Sequence, residues 1–378
     1  MDQVRIGIIG VGGMGQGHVG YMASLEEVKL TAVCDIDPQT CAEVAERCGV
    51  PGFEQHTELL DSGLVDAVLI ATPHYFHPPI AVDAFSRGIH VLSEKPIGVT
   101  VGAADEMIAA WRRSGCRFGV MYQMRSEPIF RAARRIVEDG RLGELYRTNL
   151  TMGWYRTQAY YDSGTWRATW TGEGGGVLLN QAPHLLDIFT WLGGLPQQVT
   201  AQVRTRLHDI EVEDEAFALL EYANGAHGYL YASVIEAPGV DRLELCGDRA
   251  KLVIQGGQLE LRELDSPLSR FTTESEQVWA SPKATPAEVE LPEAPSGHTE
   301  VTRAFCASIL RGEPLVAPGE EGLNALELIN AIILSGKRGK TVSIPVDRAE
   351  YETLLSELRQ GSRGKARLRE QRVTDPNL

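Results

Sequence analysis

A lysine at the end of a predicted buried strand is the first residue in this sequence that points to chemistry. The segment 91–96 reads V-L-S-E-K-P, so Lys95 directly follows an apolar run. In an open α/β sheet, ligands and reacting groups gather at the carboxyl ends of the strands. A glycine-rich segment precedes this lysine in the chain, and the pair Asn180 and His184 follows it. Together these features are typical of a hydride-transfer site and indicate an oxidoreductase.

The glycine-rich segment has the spacing of a dinucleotide-binding fingerprint. Gly10, Gly12 and Gly15 form G-x-G-x-x-G between a predicted strand, 4–9, and a predicted helix. The first glycine allows a tight turn, the second lets the backbone approach a pyrophosphate, and the third permits close packing of helix on strand. The N–H groups at the helix N-terminus attract the anion. A plain glycine-rich turn is the alternative, and the surrounding motifs argue against it.

Asp35 ends the second predicted strand, twenty residues after Gly15. A carboxylate there accepts hydrogen bonds from both ribose hydroxyls of NAD and repels the 2'-phosphate of NADP. Ile36 and Asp37 supply no cation for such a phosphate, so the sequence favours NAD. A helix-capping role before Pro38 is open to Asp35, and it is equally open to Asp37.

Length, charge and the start of the chain limit the class of protein. A chain of 378 residues fits two domains better than one core. The net charge of -15 argues against a nucleic-acid partner, which needs a basic face. The first residues lack the basic and apolar regions of a secretory signal, and no apolar run reaches membrane-spanning length. We therefore expect a cytoplasmic protein with no membrane partner.

No metal site is expected. The six cysteines contain no C-x-x-C pair, which suits a reducing compartment. Cys41 and Cys48 lie seven apart on a predicted helix, 39–48, and we interpret them as buried thiols. His74 and His77 are three apart, but no third ligand is evident nearby, so we interpret them as loop structure.

The first third of the chain predicts a parallel sheet with right-handed crossovers, because short β-rich runs alternate with helical patterns. We place the end of this domain at Gln123. The domains are therefore predicted as 1–123 and 124–358, with a basic tail over 359–378. The predicted strands of the first domain are 4–9, 28–34, 67–71, 90–93 and 117–121.

The second domain is predicted to begin with a helix, 128–139, and a pair of strands within 146–154. It continues as an antiparallel meander with turn signals at 224–225, 247–248 and 256–257. The predicted strands of the meander are 199–207, 216–222, 228–235, 242–246, 251–254 and 259–263.

Two segments of the second half are predicted to lie outside the core. The stretch 265–298 is rich in Pro, Ser, Thr and Glu, and we interpret it as a surface excursion that serves as a lid or subunit arm. The tail 359–378 is either a frayed terminus or a subunit-docking arm, and we favour the frayed terminus.

The motifs of both halves resemble one family. The T-P-H-Y-F-H segment 72–77, the E-K-P segment 94–96 and the glycine fingerprint resemble the Gfo/Idh/MocA family of glucose-fructose oxidoreductase and inositol dehydrogenase. The likeness extends to Gly174–Gly176 with His184 and Asp187, to the V-E-D-E segment 212–215 and to 319–323. It implies an α/β fold: an N-terminal Rossmann domain, and a C-terminal substrate-binding and oligomerisation α/β domain with an open, largely antiparallel sheet. It also implies homodimers or homotetramers formed through that sheet.

The resemblance implies a set of cofactor-binding and substrate-binding residues. In the family the E-K-P lysine, here Lys95, contacts both cofactor and substrate. A lysine beside a cationic nicotinamide has a lowered pKa and can relay the proton of the reacting hydroxyl. Pro96 permits a cis peptide bond. The positions expected to contact NAD are Gly10, Gly12, Gly13, Met14, Gly15, Asp35, Ile36, Ala71, Thr72, Pro73, His77, Glu94, Lys95 and Gln123.

Asn180 and His184 are predicted to share one helix, with Asp187 and Trp191 on the same stripe. The family commonly carries Asp at the Asn180 position, where the carboxylate orients the histidine. Here that charge is absent, which leaves the acid-base dyad in question. We interpret His184 as the base with Lys95 assisting, and Lys95 acting alone is the alternative. Asn180 either orients the imidazole or caps a helix.

Aromatic residues are concentrated in one short stretch. They suggest flat walls for the C–H faces of a sugar ring, and core packing or a subunit contact is the competing explanation. Arg167, beside Trp166, matches a Trp-Arg pair of the family. The expected substrate-binding residues are Lys95, Tyr155, Trp166, Arg167, Asn180 and His184. The concentrated aromatic residues are Trp154, Tyr155, Tyr160, Tyr161, Trp166 and Trp170.

Three functions follow from these motifs. The first is reversible NAD-linked oxidation of a secondary hydroxyl on a sugar, sugar derivative or inositol, in which His184, helped by Lys95, takes the proton. The second is a glycosidase that oxidises its sugar transiently with bound NAD. The third, a sugar-sensing regulator on the same fold, is disfavoured because Lys95 and His184 are retained.

Overall fold

The structure, a computed structural model, describes residues 2–365. Its strands are β1 (Val4–Ile9), β2 (Val28–Cys34), β3 (Gly52–Phe53), β4 (Ala67–Ile70), β5 (His90–Ser93), β6 (Phe118–Val120), β7 (Leu145–Tyr155), β8 (Gln198–Arg204), β9 (Glu215–Glu221), β10 (His227–Ser233), β11 (Ile235–Gly247), β12 (Ala250–Gln255), β13 (Gln258–Leu264), β14 (Ala284–Ala287) and β15 (Val342–Ser343).

The helices alternate with the strands in the first third and follow no such order later. They are α1 (Gly13–Met22), α2 (Pro38–Cys48), α3 (His56–Asp61), α4 (His77–Ser86), α5 (Val101–Ser114), α6 (Pro128–Glu138), α7 (Gln158–Tyr161), α8 (Val177–Asn180), α9 (Pro183–Gly193), α10 (Leu268–Glu274), α11 (Gly297–Arg311), α12 (Gly322–Arg338) and α13 (Arg348–Gln360). Short 3-10 turns lie at His74–Phe76, Gln123–Ser126 and Gly319–Glu321.

The chain divides into two compact units, which differ from the predicted domains. Within the described residues, one unit holds 2–127 together with 294–326, and the other holds 128–293 and 327–365. The segment 294–326 belongs to the first unit because α11 buries Val301, Phe305 and Cys306 in the core beneath β1. A single division of the sequence at Gln123 cannot represent a unit to which a later segment of the chain returns.

The first unit is built on a six-stranded sheet of order β3-β2-β1-β4-β5-β6, with parallel pairing throughout. The predicted parallel sheet is therefore confirmed. All four residues of β4 are fully buried. A strand covered on both faces needs such a continuous apolar run, which is why the sequence pattern marked it clearly.

The second unit is built on a nine-stranded sheet of order β14-β13-β12-β11-β7-β10-β9-β8-β15. The predicted tight turns join β9 to β10, β11 to β12 and β12 to β13 as antiparallel pairs. The predicted simple meander is wrong at one place, because β7 lies between β10 and β11 and pairs parallel to β10. The sheet is therefore mixed, although most of its pairs are antiparallel.

The predicted pair of strands within 146–154 is one long strand, β7. It pairs with β10 along one edge and with β11 along the other. Because both edges of β7 are bonded by segments far away in sequence, local turn signals do not reveal its central position.

Both segments predicted to lie outside the core have some structure. The excursion carries α10 and the edge strand β14, while Val278 and Trp279 are almost fully exposed. In the tail, α13 runs to Gln360, and Glu211 accepts hydrogen bonds from the Ser362 hydroxyl at 2.6 Å and the Arg363 N–H at 2.6 Å. Residues 359–365 are therefore ordered, contrary to the frayed terminus expected there, and 366–378 lie outside the described residues. Across 2–365, no helix combines the length and apolar character needed to cross a bilayer.

Candidate active site

The glycine fingerprint forms the turn between β1 and α1. Gly10 has a φ of +89°, and a β-carbon there would lie 2.8 Å from the backbone of Ala71. At Gly15 a β-carbon would lie 1.9 Å from the Gly10 carbonyl oxygen, so only glycine permits this packing. No side chain caps the N-terminus of α1. Its first N–H groups are therefore free of side-chain acceptors, as a pyrophosphate site requires.

Asp35 follows β2 and reaches back to this turn. One carboxylate oxygen accepts the Val11 N–H at 2.9 Å, and the other accepts the Asp37 N–H at 3.0 Å. A carboxylate has about four lone-pair positions, so capacity for ribose hydroxyls remains. The capping role belongs to Asp37, whose side chain accepts the Thr40 N–H at 2.9 Å at the start of α2. The next residue, Ile36, is exposed.

The loop after β4 is tied to the segment after β5. Both ring nitrogens of His77 lie 2.7 Å from backbone carbonyl oxygens, one of Thr72 and one of Pro96. Neither nitrogen is available to a metal, and residues 2–365 contain no cluster of ligating side chains. The Thr72 hydroxyl is buried and bonds to no other residue in the described part of the chain. A buried hydroxyl of this kind fits a loop that lies along a ligand.

Lys95 follows β5 and is half-buried, and the Lys95–Pro96 peptide bond is cis. Its backbone N–H donates to the Glu94 carboxylate at 3.1 Å. The other oxygen of Glu94 lies 2.8 Å from His18 Nε2, and both side chains are buried. The glycine fingerprint, the Thr72 loop and Lys95 thus follow β1, β4 and β5, three adjacent strands with parallel directions. This is the edge at which an open α/β sheet binds its ligands.

The contact of His18 with Glu94 extends into a buried chain of polar groups. His18 Nδ1 lies 2.6 Å from the Tyr21 hydroxyl, which lies 2.9 Å from the Thr302 hydroxyl. Sequence reasoning missed this network because residues that bond directly to each other in it are up to 281 positions apart. The one available signal was a histidine on the apolar side of the helix that follows the fingerprint.

In the second unit, Asn180 and His184 lie on two helices rather than one. Asn180 is the last residue of α8, and His184 is in the first turn of α9. Pro183 has no N–H to continue the bonding ladder, so it begins a new helix. Asn180 does not cap α9, because Ala182 holds that position and makes no side-chain cap.

A buried carboxylate stands beside Asn180, where the sequence predicted no charge. Glu173 accepts hydrogen bonds from the Asn180 side-chain amide and, at 2.6 Å, from the Ala168 N–H. Burial raises the pKa of Glu173 to about 7, although these hydrogen bonds and the Arg167 cation lower it. The available signal was a charged residue inside an otherwise glycine-rich segment.

Arg167 lies between aromatic rings. Its guanidinium carbon is 4.5 Å from the centre of the Trp166 ring and 4.8 Å from that of Tyr160, and it donates to the Tyr160 hydroxyl at 2.9 Å. Ala168, the next residue, has a φ of +61°, which is rare for a residue other than glycine. Strained backbone of this kind is often found at functional sites.

The clustered aromatic residues divide between core and surface. Tyr161 and Trp170 are buried, so the core-packing explanation holds for these two. Trp154 donates to Asp241 at 2.7 Å, and Tyr155 at the end of β7 is half exposed. Trp166 and Tyr160 remain as side chains that combine partial exposure with contact to Arg167.

The remaining predicted cofactor positions lie at the start of α1 and shortly after β6. Gly12, Gly13 and Met14 are exposed at the start of α1, and Gln123 begins the 3-10 turn after β6. All six cysteines are free thiols, and Cys41 is buried while Cys48 is half-buried. The first unit therefore has the turn, the free helix N-terminus and the acidic residue after β2 that NAD requires.

Family models match both units. Residues 4–122 match the oxidoreductase family model with the NAD-binding Rossmann fold, and residues 130–253 match the C-terminal domain model of the same Gfo/Idh/MocA family. Together the two matches span well over half of the chain.

Two relatives differ in how much of their length aligns with this chain. The rhizopine catabolism protein MocA of Rhizobium meliloti is 31% identical over 194 residues, which cover 51% of this chain and 58% of that protein. The chain thus spans just over half the length of this relative. The scyllo-inositol 2-dehydrogenase (NADP(+)) IolW of Bacillus subtilis strain 168 is 23% identical over 359 residues, which cover 91% of this chain and 97% of that protein.

A solved structure extends the likeness to the whole fold. The WlbA dehydrogenase of Bordetella pertussis, in complex with NADH and UDP-GlcNAcA, has a TM-score of 0.77 and 27% identity, covering 91% of this chain and all of that chain. Both units therefore have counterparts in one known architecture. With the motifs in place on that architecture, the chain belongs to the Gfo/Idh/MocA family of NAD-binding oxidoreductases.

Proposed function

We propose that this chain oxidises a secondary hydroxyl of a sugar, sugar derivative or inositol, reversibly and with NAD. The observation that carries the proposal is the placement of the glycine fingerprint and Lys95 at the same edge of the first sheet. The family assignment supports it, as do a relative named as a scyllo-inositol 2-dehydrogenase and a similar structure in complex with NADH and UDP-GlcNAcA.

The proposed chemistry assigns roles to residues of both units. NAD, when bound, supplies the acceptor for the hydride. The residues of the α1 turn and Asp35 hold it. His184 is the proposed base for the proton of the substrate hydroxyl, with Lys95 assisting. Arg167, Trp166, Tyr155 and Asn180 orient the substrate, with the ring faces packing against C–H groups.

Turnover on a panel of polyols tests this function. The purified chain is mixed with NAD and each of several sugars, sugar acids and inositols, and NADH is followed by its absorbance. We expect NADH in proportion to the substrate consumed. Release of free sugar from glycosides without net NADH indicates the glycosidase instead. Tight NAD binding with no turnover on any member contradicts both enzymes and favours a regulator.

Cofactor choice gives the first mutational prediction. Replacing Asp35 by alanine is expected to raise the KM for NAD by about tenfold or more, since a charge-assisted hydrogen bond is worth about 1.5–3 kcal/mol. Discrimination against NADP is expected to relax, because the 2'-phosphate no longer meets a carboxylate. The NADP specificity in the name of one relative makes this comparison informative.

A second variant separates the charge of Asp35 from its support of the turn. Asp35→Asn keeps the size and one acceptor oxygen, so the Val11 N–H remains bonded. We expect this variant to gain NADP activity with a smaller loss of NAD affinity than Asp35→Ala. Michaelis constants that stay unchanged for both cofactors in both variants contradict the assignment of Asp35.

The open face of the second sheet supports a proposed homo-oligomer. Phe217 and Leu219 on β9 are exposed, while the residues that alternate with them are buried. Leu219 pairs with the exposed Tyr229 on β10, and Phe217 pairs with Tyr231. Adjacent apolar side chains on an uncovered sheet face are typical of a contact surface. The occupant that we propose is the same face of a second copy.

Light scattering after size exclusion checks this oligomer. Wild type is expected at twice or four times the mass of the chain, and Leu219→Glu at the mass of one chain, because a charge enters the centre of the apolar face. The matched control is Leu291→Glu, another exposed leucine, outside the sheet. If Leu291→Glu separates the copies and Leu219→Glu does not, the excursion rather than the sheet makes the contact.

A further inference from the structure

A buried carboxylate that the proposed chemistry does not use bonds to two of the proposed substrate-binding segments. Glu173 is 1% exposed. One of its oxygens accepts the Ala168 N–H at 2.6 Å, which holds the strained residue next to Arg167. The other oxygen accepts the Asn180 side-chain amide and lies 3.9 Å from Arg167 Nη1. One carboxylate therefore fixes both Arg167 and Asn180.

A carboxylate in this position is costly for the fold. Burial raises the pKa of Glu173 to about 7, so the environment opposes ionisation even though three donors face the group. A glutamine of similar size would fill the same space without that cost. Ionisable groups with such perturbed pKa values are concentrated at functional sites.

The Glu173 carboxylate determines how the side-chain amide of Asn180 is oriented. An ionised carboxylate accepts hydrogen bonds and donates none, so the NH2 end of Asn180 must face Glu173. The oxygen end then points away from Glu173, with the Tyr160 hydroxyl 3.5 Å from it. The carboxylate therefore fixes the orientation of the Asn180 amide, whose oxygen accepts from the Tyr160 hydroxyl.

The carboxylate also opposes the charge of Arg167. The Arg167 side chain is mostly buried against aromatic rings, where a charge is screened less than in water. The neighbouring Lys365 donates to the carbonyl oxygens of Tyr161 and Gly164, and its charge is opposed first by Asp162. Glu173 therefore leaves the proposed substrate-binding surface formed by Arg167 and Asn180 close to electrically neutral.

We propose that Glu173 is a specificity-determining positioning residue: it opposes the charge of Arg167 and fixes the Asn180 amide, so that these residues favour an uncharged sugar over an anionic sugar acid. The inference rests on the proposed function in one respect, which is that Arg167 and Asn180 meet the substrate. It adds the charge class of that substrate and the residue that sets it.

Matched pairs of sugars test the proposal by binding as well as by turnover. The probes are glucose with glucuronate, galactose with galacturonate and mannose with mannuronate, each measured by calorimetry in the presence of NAD at about pH 8.5, where a carboxyl with a pKa of about 7 is ionised. Wild type is expected to prefer the neutral member. In Glu173→Gln the ratio of neutral to acidic affinity should fall by about tenfold or more, since Arg167 becomes an unopposed cation.

Two further variants separate a charge effect from a loss of structure. Glu173→Asp keeps the charge and should keep the neutral preference, even if it binds all sugars more weakly. Glu327→Gln neutralises another buried carboxylate of the same unit, whose oxygen accepts the Val346 N–H at 2.9 Å. It should leave the ratio unchanged, because the carboxylate of Glu327 bonds to Val346 and Arg348 rather than to Arg167 or Asn180.

Each outcome supports or overturns the proposal. An unchanged ratio in Glu173→Gln, an equal loss of affinity for both members of each pair, or a wild type that prefers the acids overturns it. A wild type that binds neither member of any pair also overturns it. If the binding ratio shifts as expected but no variant forms NADH, the proposed oxidation fails while the specificity assignment of Glu173 stands.

Discussion

Replacing Lys95 by methionine is expected to lower turnover by about a hundredfold or more while NAD affinity stays within a few fold. Methionine keeps an unbranched apolar stem of similar length and removes the ammonium group. The backbone of Lys95 is held by Glu94, which is in turn held by the buried His18, so the segment should keep its shape. An interaction made with the reacting hydroxyl affects kcat more than cofactor binding.

The measurement is kcat from NADH formation beside the Kd of NAD from fluorescence quenching. Lys29→Met is the matched control, because Lys29 is an exposed lysine on β2 of the same unit. It should behave as wild type in both assays. Wild-type turnover in Lys95→Met removes the lysine from the mechanism, whereas a large loss of NAD affinity makes it a cofactor ligand.

The first unit was the easier half to predict, because its signals are local. β1, β2 and β5 have the bounds that the sequence predicted, and β4 and β6 differ by one or two residues at their ends. Parallel strands buried on both faces appear in sequence as short apolar runs bounded by turns. The rules for connections between parallel strands strongly limit the order of the strands in such a sheet. Three of these strands are followed by the fingerprint, the Thr72 loop and Lys95.

The missed features depend on contacts between distant parts of the chain. The place of β7 is set by β10 and β11, which follow it by about 80 positions. The contact of His18 with Glu94 joins residues 76 apart. Glu173 is only seven residues from Asn180, but the chain between them turns at Gly174, which has a φ of +83°, before α8 begins, and hydrophobic periodicity does not predict such a turn.

The proposed base gives the second large expected effect. Replacing His184 by alanine should remove most activity and also remove the limb of the pH profile that reports ionisation of the base. The profile of kcat/KM for oxidation is measured from acid to alkaline pH, with His227→Ala as the control on an exposed histidine of the same unit. If the limb persists in His184→Ala, the base is Lys95, and the segment from α8 to α9 serves to position the substrate.

The variant Asn180→Asp, compared with the same change made together with Glu173→Gln, shows whether a neighbouring carboxylate shifts the pKa of His184. A carboxylate favours the imidazolium, so it should raise the histidine pKa and move the limb to higher pH by something on the order of one unit. In this chain, however, the new carboxylate would meet Glu173, and two adjacent buried carboxylates do not both ionise readily. Asn180→Asp alone should therefore shift the limb little.

The double variant Glu173→Gln with Asn180→Asp places a single negative charge at position 180, and it should show the full alkaline shift. Equal profiles for the single and double variants would mean that Glu173 does not control the charge at this position.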